Sequence, residues 1–100
     1  MIPLKKEVTT LGRQLGNDIV LHEEFLSRFH AEIIWDGNTY MLLDKDSTSG
    51  TFVNGKRIDR CVLNSGDLIA LANIYIIFVN NNPKIAGTCL GTTRSLQRNP

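Results

Sequence analysis

A chain of 100 residues with 42% apolar and 21% charged side chains fits one globular domain with a buried core and excludes a disordered or fibrous bulk. A net charge of +1 without any basic block lacks the electrostatic footprint of a nucleic-acid binder or a polybasic membrane anchor, so an anion recognised here must be held locally. Cys61 and Cys89 lack the close pairing of a zinc or redox motif, no apolar run approaches the ~18 residues of a membrane span, and Met1 to Glu7 has no signal-peptide core, so a soluble cytoplasmic protein without metal or cofactor is the expectation.

In chain order, short β-type segments follow one another at close spacing. Val8 to Leu11 is β-branched and apolar and ends at Gly12-Arg13; Ile19 to Leu21 follows a turn signal at Gly16 to Asp18. Ala31 to Trp35 alternates, with Ala31, Ile33 and Trp35 on one face, which predicts a half-buried strand. Asp36-Gly37-Asn38 turns the chain into Tyr40 to Leu43, the second strand of a hairpin. Thr51 to Val53 and Arg57-Ile58 flank Asn54-Gly55, a pair suited to the two positive φ angles of a type I′ turn. Cys61 to Leu63, a turn at Asn64 to Asp67, Leu68 to Leu71 and Ile74 to Val79 complete the series. No window longer than about ten residues carries a helical apolar period, so the pattern predicts a β-sandwich with minor helix. Beyond Asn80 the composition turns small and polar, and residues from about 81 onward are expected to form a flexible tail or linker.

The loop residues hold the chemistry. A phosphoryl group brings nearly two negative charges and three acceptor oxygens, and a site for it wants an Arg, hydroxyl donors and backbone N–H groups from tight turns. Arg13, Ser27, Arg28 and the Thr48-Ser49-Gly50 turn supply that set, although each alone also has a plain role as a surface charge or a loop residue. His30 fits a general base, a metal ligand or a structural histidine; the structural role is favoured, because His22 lies eight residues away without further soft ligands nearby. Ser27, His30 and Asp44 or Asp46 have the residue types of a hydrolytic triad. The G-x-S-x-G elbow is missing, but triads are defined by geometry rather than order.

Gly12-Arg13, Ser27-Arg28-x-His30-Ala31, the run from Asp44 through Ser47-Thr48-Ser49-Gly50-Thr51 to Val53-Asn54-Gly55, and Leu63-x-x-Gly66-Asp67 resemble, in this order, the signature of the forkhead-associated (FHA) domain over roughly residues 4 to 80. The resemblance implies an all-β sandwich of two largely antiparallel sheets, eleven-stranded, with loops at one end that bind phosphothreonine peptides. By position, Arg13 and Ser27 would contact the phosphate, Thr48 would help to hold it, and Arg28 and Ser49 would lie against the peptide. Gly12, His30, Gly50 and Asn54 would support the binding loops. The implied function is a phosphothreonine-dependent protein–protein interaction module in Ser/Thr kinase signalling, without catalysis. Phe25, Leu26 and Arg28 at the rim are the candidates for reading flanking residues, the apolar pair pointing to an aliphatic residue a few positions beyond the phosphothreonine. A phosphate-independent scaffold or dimerisation unit of the same fold is the alternative, and a small serine hydrolase using Ser27 and His30 the third.

Two departures from the family pattern stand out. Ser49 occupies the place of an Asn whose side chain would both donate to and accept from the peptide backbone. The chain also starts near the family's second strand, so residues 1–80 are expected to form the domain with its first strand shortened or missing. That loss would leave Ile74 to Val79 as an apolar edge. A shortened strand from residues 1 to 7 is the favoured remedy; a fold-back of residues 84 to 90, or a homodimer through the exposed edge, are the others.

Overall fold

The computed structural model describes residues 2–80 and the backbone of residues 88–92. Its strands are β1 (Ile2–Pro3), β2 (Val8–Gly12), β3 (Ile19–Val20), β4 (Ala31–Trp35), β5 (Tyr40–Asp44), β6 (Thr51–Val53), β7 (Lys56–Ile58), β8 (Arg60–Val62), β9 (Leu68–Leu71), β10 (Ile74–Asn80) and β11 (Thr88–Thr92), with no helix among the described residues. One sheet has six strands in the order β1-β11-β10-β9-β6-β7, the other five in the order β3-β2-β4-β5-β8. Every ladder is antiparallel except β2–β3, where Leu11 lies beside Ile19.

The period-two alternation read from the sequence decides what fills the space between the sheets. Leu11, Ile19, Ala31, Ile33 and Leu42 from one sheet meet Val53, Ile69, Leu71, Ile76 and Phe78 from the other in a single buried cluster. Phe78, fully buried, takes the ring edge of Tyr40 at 5.5 Å, and Tyr40 in turn meets Trp35 at 4.6 Å. Burying one such side chain contributes about 1.5–3 kcal/mol, so these rings are principal stabilisers of the sandwich. The tight β6–β7 hairpin has the expected turn, with φ of 53° at Asn54 and 84° at Gly55.

Strand register collects three loops at one end. Leu11 pairs with Ala31 and Ala31 with Asp44, so β2 ends, β4 begins and β5 ends side by side. Residues 13–18, 21–30 and 45–50 therefore emerge together. The Asn54-Gly55 turn lies at the far end of β6.

The edge expected at β10 is covered by the chain itself. Ile2 pairs with Leu90 on one side of β11, and Phe78 pairs with Leu90 on the other, so a shortened first strand and a fold-back act together. Residues 88–92 thus belong to the sheet in this structure rather than to a flexible tail, and the rest of that expectation, 81–87 and 93–100, lies outside the described residues. With β10 paired on both sides, the edge proposed for a homodimer is occupied; among the described strands the open edges are β1 and β7 of one sheet and β3 and β8 of the other.

Candidate anion-binding site

The loop after β2 runs tightly against the loop before β4. The Arg13 N–H donates to the Ser27 carbonyl at 3.1 Å and the Gln14 N–H to the Arg28 carbonyl at 3.2 Å. This approach requires glycine at position 12, because a Cβ there would lie 2.1 Å from the Arg28 oxygen. Asn17, buried, completes the seam: its amide nitrogen donates to the Gln14 carbonyl at 2.8 Å and the Arg28 carbonyl at 2.7 Å. Asp18 closes the loop by accepting from the Thr10 N–H at 2.9 Å and pairing with Lys6 at 2.6 Å.

Below this seam lies a chain of buried hydrogen bonds that ends at Ser27. Asp44 accepts from the hydroxyls of Ser47 and Thr51, and the Ser47 oxygen accepts from the Gly50 N–H at 3.0 Å. Burial pushes the Asp44 carboxyl up, but the bonds from Ser47 and Thr51 outweigh it and hold the group below the usual aspartate value of 3.8. The Gly50 carbonyl meets His30 Nε2 at 2.9 Å, while His30 Nδ1 accepts from the Ser27 N–H at 3.1 Å. An acceptor at Nδ1 places the proton on Nε2, so the fully buried ring is a neutral donor–acceptor bridge between the β3–β4 and β5–β6 loops. His30 therefore faces the Ser27 backbone and not its hydroxyl. It cannot take that hydroxyl's proton, and the hydrolytic reading of Ser27, His30 and Asp44 or Asp46 falls on geometry.

The side chains above this bridge converge on one open depression of about 390 Å³, lined by Arg13, Ser27, Arg28, Thr48 and Ser49 together with Glu24, Phe25 and Leu26. Arg13 Nε donates to the Leu26 carbonyl at 3.1 Å, which fixes the guanidinium plane and leaves its two terminal nitrogens without a partner among the described residues. The Ser27 oxygen accepts from the Thr48 N–H at 3.0 Å, so its own O–H remains available to donate. The Ser49 hydroxyl donates to the Phe25 carbonyl at 2.8 Å and is used inside the protein. Among the described residues the salt bridges are Lys6–Asp18 and Lys45–Glu32, so neither guanidinium has an acidic partner. Two unpaired cations, a hydroxyl donor and an exposed threonine around one hollow suit a multiply charged oxyanion.

The family profile of the FHA domain matches residues 9–72. The chain belongs to the FHA domain family. Part of an ABC transporter ATP-binding/permease protein of Mycobacterium tuberculosis is 39% identical over 70 residues, 70% of this chain and 8% of that protein. The structure of Mycobacterium tuberculosis EmbR in complex with a low affinity phosphopeptide superposes with a TM-score of 0.77 at 37% identity, covering 78% of this chain and 21% of the EmbR chain. A structure of phosphothreonine-dependent FHA domain interactions gives 0.76 at 34% identity over 79% of this chain and 82% of its own. This FHA domain thus spans a small part of the transporter protein and of the EmbR chain.

Against the sequence-based site, two placements differ. Asn54 does not support the loops of this FHA domain's depression; at the opposite end, it donates to Asp67 at 2.9 Å and accepts from the Leu68 N–H at 3.0 Å, tying the β6–β7 turn to the turn before β9. Leu26 is not a rim residue: its side chain is 2% exposed in the core, and only its carbonyl faces Arg13. Gly12, His30 and Gly50 lie at the loop contacts described above. Asn17 is the supporting residue that sequence reasoning missed, since it read as an ordinary turn residue; of the two carbonyls it bonds, that of Arg28 comes from a loop eleven positions away in sequence.

Proposed function

We propose that this FHA domain is a phosphothreonine-dependent protein–protein interaction module acting in the cytoplasm downstream of a Ser/Thr kinase, with no catalytic activity of its own. The observation that carries the reading is the convergence of Arg13, Ser27 and Thr48 on one hollow in which two guanidiniums have no acidic partner among the described residues. Arg13 offers a fork to two phosphate oxygens, Ser27 a hydroxyl donor, and Thr48 a second hydroxyl at the rim. Each charge-assisted bond contributes about 1.5–3 kcal/mol net, so the phosphoryl group supplies most of the affinity. The phosphopeptide held by EmbR and the phosphothreonine dependence named for the second neighbour support the same assignment.

Titrating matched phosphothreonine and unmodified peptides by fluorescence anisotropy tests this. The phosphorylated peptide should bind about a hundredfold or more tighter, in keeping with two or more charge-assisted bonds. Equal affinities would favour the scaffold.

Ser49 shapes the rest of the ligand. With its hydroxyl bonded to the Phe25 carbonyl, it offers the peptide main chain no donor, and the peptide is held chiefly by its phosphate. Ser49→Asn should tighten binding of a long phosphopeptide about three- to tenfold by adding a main-chain hydrogen bond. No change in the same titration would mean that the peptide main chain passes out of reach of this position.

A further inference from the structure

We infer that Glu24 selects the charge of the residues flanking the phosphothreonine, so that the preferred ligand is a phosphorylated segment carrying a basic residue beside the modified threonine. This rests on the phosphate-binding reading and extends it to the class of peptide recognised.

The β3–β4 loop bends at Glu23 to Leu26, where the Leu26 N–H donates to the Glu23 carbonyl at 3.0 Å. Glu24 and Phe25 occupy the two central positions of that turn and are both exposed, with Phe25 60% accessible. The two neighbouring carboxylates have different fates. Glu23 turns back and accepts from the Phe25 N–H at 3.4 Å. Glu24 lines the depression with Arg13 and Arg28 and, among the described residues, forms no salt bridge.

With the depression empty, two guanidiniums outweigh one carboxylate and the hollow attracts anions. A bound phosphoryl group carries nearly two negative charges and cancels both guanidiniums. Glu24 is then the uncompensated charge at the lip. It repels an acidic neighbour of the phosphothreonine and attracts a Lys or Arg, while Phe25 beside it offers a face to the aliphatic stem of such a side chain. The contact is exposed, so the effect is modest and screened by salt.

The test takes one phosphothreonine peptide and places Lys, Ala or Glu in turn at each flanking position, with affinities measured for the wild-type chain, Glu24→Gln and Glu24→Lys at about 50 mM and 500 mM salt, where the Debye length falls severalfold. In the wild type, at one or more positions, Lys should bind about three- to tenfold tighter than Glu at low salt, and the ratio should shrink at high salt. Glu24→Gln should flatten the ranking and Glu24→Lys should invert it. A flat ranking in the wild type, or one that Glu24→Gln leaves intact, overturns the role of Glu24 while phosphate recognition stands. Failure of the wild type to distinguish phosphorylated from plain peptides overturns both.

Discussion

Arg13→Ala is expected to abolish measurable binding of a phosphothreonine peptide. The substitution removes the guanidinium that the Leu26 carbonyl holds in place with its terminal nitrogens free, and with it a bidentate pair of charge-assisted bonds. Two such bonds amount to about 3–6 kcal/mol, a loss of about two to four orders of magnitude in affinity. Arg13→Lys should recover part of it, since the ammonium keeps the charge but has neither the fork nor an Nε–H for Leu26. Arg13 is exposed, and its side chain bonds only a carbonyl among the described residues, so thermal stability should hardly change. Anisotropy titration of the three proteins, with circular dichroism melts as the folding control, measures both quantities. An affinity of Arg13→Ala within about threefold of wild type, less than one hydrogen bond's worth, would remove Arg13 from the site.

His30→Ala should have the largest effect on the fold. The ring is fully buried and bridges two loops, accepting from Ser27 and donating to Gly50. Its loss orphans a backbone N–H and a backbone carbonyl, each costing about 1–3 kcal/mol, and leaves a cavity besides. A total on the order of 3–5 kcal/mol is a large share of the ~5–15 kcal/mol that stabilises a domain of ordinary size. The melting temperature should fall by about 15 °C or more. Peptide binding should vanish as well, because the Ser27 N–H bonded to His30 sets the position from which Ser27 faces the depression. A melting temperature within ~3 °C of wild type would mean that the bridge contributes less than about 1 kcal/mol.

The strands from Val8 to Val79 were legible because each is a short apolar or alternating run between turn residues, and the two-layer core follows from that alternation. The residue types for an anion site, Arg13, Ser27 and Thr48, were legible from their chemistry, but that they share one hollow was legible only through the FHA resemblance, since their loops are brought together by register between β2, β4 and β5, which no local pattern states. Leu26 and Asn54 went astray for related reasons. An apolar residue next to the motif looks like a rim contact until burial is known, and an Asn in the signature can brace the opposite end as well as the near one. Asn17 escaped because its partners are backbone carbonyls, which carry no mark in the sequence. The strand at β11 was legible only as one of three remedies for the edge of β10, because T-C-L-G-T has little β signal of its own and its place is the gap between β1 and β10.

That placement gives the molecule a mechanical character. Ile2 and Leu90 are antiparallel neighbours, so tension transmitted through β1 and β11 pulls on the same end of their ladder. The rungs are then loaded one after another, as in a zipper, and not in concert as under shear. The two-pair ladder of β1 is therefore the first to open under such a load, while β2, β4 and β5, which set the positions of the loops around the depression, lie in the other sheet.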